Sequence, residues 1–194
     1  MSRSRGGVCS IVIIVSMMAA ACGEPPEKEM QQAQGAIDAA RAVGADEYAH
    51  DEFVGAQDAL THAREAVDQR DYRLALNHAL DSRERAQNAA KTAADRRGAA
   101  RAAAERTIAE ATAALADARL KLKAAEGAHI APAKIAGART TLADGDHALQ
   151  EARAAFGRGE YTAANNATTA ATPRLRAAAR DLDVMITAAP HRRR

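Results

Sequence analysis

The chain has 194 residues, 54 of them alanine, with no tryptophan, two phenylalanines and three tyrosines. Alanine heads the helix-propensity scale but brings little apolar area, so this composition favours helix throughout and excludes a thick globular core. With 27 basic and 25 acidic side chains, a net charge of +2 and a mean hydropathy of −0.35, the chain lies near disorder-prone compositions, and only the periodicity of its apolar residues separates it from them.

Arg3 and Arg5 open the chain, and an apolar run from Val8 to Ala21 follows, broken only by Ser10 and Ser16. At about fourteen residues the run is shorter than the roughly 20 a spanning helix needs and fits the apolar core of a secretory signal. It ends in Met18-Ala-Ala-Ala-Cys22-Gly, which resembles the lipobox of bacterial lipoprotein signals. An uncleaved anchor and a signal cut near Ala21 without lipid are the competing readings. The resemblance implies removal of residues 1–21 and acylation of Cys22, with several acyl chains that hold the protein stably on a membrane. Gly23 stands where a retention aspartate would favour the inner membrane, so in a source with two membranes the outer one, facing the periplasm, is expected.

Processing would alter the charge balance. The 27 basic side chains lose Arg3 and Arg5, leaving 25 against 25 acidic ones. The mature protein is then neutral, and nucleic acid is not an expected partner. Cys9 leaves with the signal and Cys22 is consumed by lipid, so no internal disulfide is expected.

Beyond a short tether at 22–28, the apolar residues step by three and four. A first helix is expected over about 27–43, ended by Gly44-Ala45-Asp46. The second, about 50–69, carries Phe53, Ala56, Leu60, Ala63 and Val67 on one face and stops at the Arg70-Asp71 reversal. The third starts with Tyr72, Ala75, Ala79, Ser82, Ala86, Ala89 and Ala93 and resumes with Ile108, Ala111, Leu115, Ala118, Leu122 and Ala125. With no strong stop before Gly127 except Gly98, this helix could run about 80 Å. Arg96, Arg97 and Arg101 crowd its midpoint, where the period stutters, and read as a solvent-exposed spar or hinge between two packed ends. The fourth helix, after Pro132, carries Ile135, Ala138, Leu142, Gly145, Leu149, Ala152 and Phe156 and ends at Gly157-Arg158-Gly159. The fifth carries Tyr161, Ala164, Thr168, Ala171, Leu175, Ala178, Leu182 and Met185; Pro173 should kink it, with Thr172 able to cap a restarted turn. Such stripes are coiled-coil-like seams.

Two stretches read as copies. Tyr48 to Leu60 aligns with Ile130 to Leu142, and Asp71-Tyr72 with Glu160-Tyr161. The second copy is longer in its hairpin arm by about seven residues, a length that keeps the same face inward. The expected architecture is all-α: elongated, alanine-rich antiparallel hairpins, with a first repeat at 29–97, a second at 98–189, one long helix joining them, and a basic tail at 190–194. Gly44-Ala-Asp-Glu-Tyr48-Ala-His-Asp-Glu-Phe53, followed by Asp71-Tyr72-Arg-Leu-Ala75, resembles a family of bacterial lipoprotein domains, the domain of unknown function 4398. The resemblance covers about residues 30–95 well and the second copy loosely. It implies a membrane-tethered helical domain and names no activity.

The residues offer little catalytic chemistry. No phosphate-binding glycine loop, nucleophile elbow or His-Glu-x-x-His is present. His62 and His78 fall at similar heights on either side of the Arg70-Asp71 turn, near Asp58 and Asp81, and read as surface residues ahead of a metal pair. The tyrosines at 48, 72 and 161 are expected to pack the hairpin tips with their hydroxyls toward water. Beside Cys22 as lipidation site, the candidate partner contacts are Arg96, Arg97 and Arg101, and Arg192, Arg193 and Arg194 in the tail. Together these point to a non-enzymatic, lipid-anchored envelope protein, a helical adaptor or scaffold that binds other envelope components or itself. The alternative is a ligand- or cell-wall-binding module. No catalytic residue, metal, cofactor or small-molecule substrate is expected.

Overall fold

The computed structural model describes residues 24–188. Seven helices account for nearly all of them: α1 (Glu27–Ala42), α2 (Ala45–Tyr48), α3 (His50–Asp68), α4 (Tyr72–Gly127), α5 (Pro132–Arg158), α6 (Tyr161–Thr169) and α7 (Ala171–Ala188). No strand occurs among the described residues, and the protein is all-α. The chain divides into two compact units, the first ending at Ala94 and the second beginning at Asp95, inside α4.

In the first unit, α1 packs on α3 through Ala33, Ile37 and Ala40 against Phe53, Ala56, Leu60 and Ala63, and α4 closes the core with Ala79, Ala86, Ala89 and Ala93. Ser82, fully buried among these alanines, donates its hydroxyl to the Ala56 carbonyl at 2.7 Å. A side chain as short as serine reaches a neighbouring backbone only where two helices lie close together. In the second unit, Leu115, Leu142, Leu149 and Leu175 form one cluster and Ala125, Ile135 and Leu182 another. Of the 32 buried apolar residues among those described, 23 are alanines. Burial therefore contributes little area per residue, and the few Leu, Ile and Phe carry a large share of it.

The turns are built alike. Arg70, His129 and Gly159 adopt φ of +61°, +58° and +82°. In each case the following amide donates five residues back, from Asp71 to Ala66, Ile130 to Ala125 and Glu160 to Ala155, while the left-handed residue donates three back. This is the Schellman arrangement, which satisfies carbonyls that a helix end otherwise leaves unpaired. Asp71 then caps α4, its Oδ1 accepting the Leu74 amide at 2.9 Å. Pro132 occupies the first turn of α5, where a missing N–H costs nothing.

Three expectations need correction. Between α1 and α3 the chain forms the one-turn helix α2, entered through Gly44 at φ +88°, and Ala45 and Ala49 are fully buried. This turns Tyr48 inward, so its hydroxyl is buried rather than directed to water. The fifth helix breaks at Ala170, upstream of Pro173, giving α6 and α7. A proline ring clashes with the carbonyl four residues earlier, which here is Thr169. Thr172 lies inside α7 and does not cap it; its hydroxyl donates to the Thr168 carbonyl at 3.0 Å.

Two glycines behave oppositely. Gly98 lies within α4, and a β-carbon there would meet nothing within 4 Å. A Gly98→Ala variant should therefore stabilise the protein by about 1 kcal/mol, measured by chemical denaturation, because alanine has the higher helix propensity. At Gly145 a β-carbon would lie 2.7 Å from Leu175 Cδ2, a side chain that is itself 1% exposed. Gly145→Val is expected to cost about 1–3 kcal/mol through overpacking, with part of the loss recovered on the Leu175→Ala background.

Candidate functional site

The arginine stretch of α4 leads to the best-defined polar and aromatic cluster of the second unit. Residues 94–99 are all exposed. From this stretch the Arg97 guanidinium lies 5.9 Å from the Tyr161 ring centroid and that of Arg101 lies 6.0 Å from the Phe156 ring. The two rings meet at 5.2 Å with a 59° tilt, over a floor of Ala104, Ala155 and Ala164. Arg101 also donates to Glu105 one turn on, at 3.0 Å. Phe156 lies in the last turn of α5 and Tyr161 begins α6, so the Schellman turn between them brings the rings together. Gly159 sits in that turn, and a β-carbon there would lie 3.5 Å from Arg97.

The turn carries its own ion pair. Arg158 reaches both carboxylate oxygens of Glu160, at 2.9 and 2.7 Å. The hydrogen bond from Arg158 holds the Glu160 carboxyl below its usual range, and the same contact raises the Arg158 guanidinium. Stability from this pair is therefore present at neutral pH and lost as the pH falls through the lowered Glu160 value. Both groups are exposed, so the contribution is small. In the first unit, Arg41 stacks over Phe53 at 5.4 Å.

Of the sequence candidates, Arg97 and Arg101 thus come together over aromatic rings, and Arg96 is exposed on the same stretch of α4. Cys22 and the tail residues Arg192, Arg193 and Arg194 lie outside the described residues. Phe156 and Tyr161 were legible as seam positions, but their pairing with arginines depends on the turn geometry, which has no linear motif. His62 and His78 face each other across α3 and α4, with ring centroids 5.6 Å apart. Among the described residues, no group of three or more His, Cys, Asp or Glu is placed to hold a metal, and no helix is long and apolar enough to cross a membrane.

The cation–aromatic contacts should be measurable as coupling. In a double-mutant cycle of Arg101→Ala and Phe156→Ala, thermal or chemical unfolding should give a coupling energy of about 0.5–1 kcal/mol. A value near zero would mean that the guanidinium contributes nothing at the ring.

No curated protein and no solved structure matches the chain. Residues 28–106 match the model of a family described as a domain of unknown function (DUF4398). The match begins at the second residue of α1, takes in α2 and α3, and ends within α4, beyond Arg96, Arg97 and Arg101. The stretches that carry the resemblance, Gly44 to Phe53 and Asp71 to Ala75, both lie inside this match.

Proposed function

We propose that the protein is a non-enzymatic, lipid-anchored component of the bacterial envelope, tethered through Cys22 and acting as a helical adaptor or scaffold for other envelope components or for itself. The observation that carries this reading is the sequence Met18-Ala-Ala-Ala-Cys22-Gly behind a short apolar run and a basic start. Only a few residues, including Pro25 and Pro26, separate Cys22 from α1. Acyl chains on Cys22 would therefore hold the first unit next to its membrane, the outer one where two are present.

The adaptor reading draws support from the thinness of the cores. Alanine-lined interfaces leave little interior volume, so recognition would use the outward helix faces, which are rich in charged side chains. We also read the two units as related. α5, at 27 residues, is a longer counterpart of α3, at 19, and the turns that follow them share one hydrogen-bond pattern, 71 to 66 and 160 to 155.

Mass spectrometry of the mature protein should find an N-terminal peptide that begins with acylated Cys22. The Cys22→Ala protein should leave the membrane fraction or accumulate as an unprocessed precursor. An unmodified mature N-terminus at another residue would remove the anchoring and localisation together.

A further inference from the structure

We propose that His62 and His78 form a two-imidazole site for a divalent transition-metal ion, bridging α3 and α4. The observation is their juxtaposition across two antiparallel helices, with ring centroids 5.6 Å apart and planes inclined at 46°. A metal bound about 2.0–2.1 Å from one nitrogen of each ring lies about 3.2 Å from each centroid, and a tetrahedral angle then sets the centroids about 5.2 Å apart. The observed separation differs from that value by a few tenths of an ångström, within reach of small side-chain rotations.

The surroundings suit a cation. His62 directs Nδ1 to Glu65 Oε2 at 3.0 Å, which leaves Nε2 for a metal and supplies the carboxylate–histidine pairing that orients and strengthens imidazole ligands. Asp58 lies one turn before His62 on α3, and Asp81 lies one turn after His78 on α4, where it pairs with Arg85 at 2.8 Å. His62 is well exposed, at 58% of its side chain, so water can complete the coordination. Two imidazoles with water select ions that favour nitrogen, Cu²⁺ ahead of Zn²⁺, over Mg²⁺ or Ca²⁺. Bound metal would pin α3 to α4 close to the Arg70-Asp71 turn, and no second histidine pair stands at the aligned positions Glu151 and Ala167 of the other unit. The site would therefore belong to the first unit.

The test uses the full-length protein in detergent, without a polyhistidine tag, titrated calorimetrically with zinc chloride. One equivalent should bind. Affinity should fall about tenfold or more in His62→Ala and in His78→Ala, and stay unchanged in His147→Ala, whose ring pairs with Glu151 on its own helix. Absence of saturable binding, or affinity retained in either the His62 or the His78 variant, would overturn the proposal. A second measurement needs no variant: the electron paramagnetic resonance spectrum of the protein with one equivalent of Cu²⁺ should show two equatorial imidazole nitrogens. A spectrum with one or none would overturn it as well.

Discussion

Close approach of helices along alanine-lined stripes is the constraint on which both units depend. An alanine methyl buries so little surface that a stripe of them stabilises a helix pair only if the backbones come near enough for the methyls to interdigitate with the opposite ridge. The Ser82 hydroxyl at 2.7 Å from the Ala56 carbonyl records that approach in the first unit. In the second unit Leu175 fills a hollow that exists because residue 145 has no side chain. A close interface of this kind is sensitive to added volume, and the few large residues have to fall where a small partner faces them. Ile37, Ile135, Leu175 and Leu182 are all essentially fully buried.

Chain reversal imposes the second requirement, and it sits unevenly on the sequence. Four helix ends among the described residues carry a residue at positive φ; Gly44 and Gly159 are the residue that conformation favours, whereas Arg70 and His129 adopt it at a steric cost. At His129 the ring nitrogen lies 2.8 Å from the Gly127 carbonyl, a local contact that offsets part of the cost. At Arg70 the following Asp71 cap does comparable work by fixing the start of α4. The turns thus share hydrogen bonds while differing in which side chain sustains them. Their geometry also decides where the aromatic residues meet: Phe156 and Tyr161 flank the Gly159 turn and come into contact because that turn is tight.

Much of this was legible in the linear pattern. The stripe Tyr72, Ala75, Ala79, Ser82, Ala86, Ala89, Ala93 needs only a three-four step to be seen, and every member from Ala75 onward is buried. The same holds for Leu142, Gly145, Leu149 and Ala152 on α5. What periodicity could not supply was anything set by a single backbone torsion or by contact between distant residues. The one-turn helix at Ala45–Tyr48 is shorter than any periodic signal, and the break at Ala170 precedes the proline that causes it. The positions of Arg97 and Arg101 over the rings depend on a turn some sixty residues away, so the sequence shows cationic crowding while the structure shows where the charges rest.

The continuity of α4 follows from the same arithmetic. Tyr72 to Ala93 and Ala104 to Ala125 each span three heptads, and eleven residues separate Ala93 from Ala104. Eleven residues make three helical turns at 3.67 per turn, so a stutter of this size changes the local winding without breaking the hydrogen-bond ladder. Because the spacing is helical, the intervening residues need no core to remain helical, only adequate propensity, which the alanines and arginines between Ala93 and Ala104 provide and Gly98 opposes. The exposed arginines are therefore compatible with an unbroken helix, and their charge is free of the requirement to pack. It is this freedom that lets Arg97 and Arg101 lie across the rings of Tyr161 and Phe156 from a stretch of α4 that buries nothing itself.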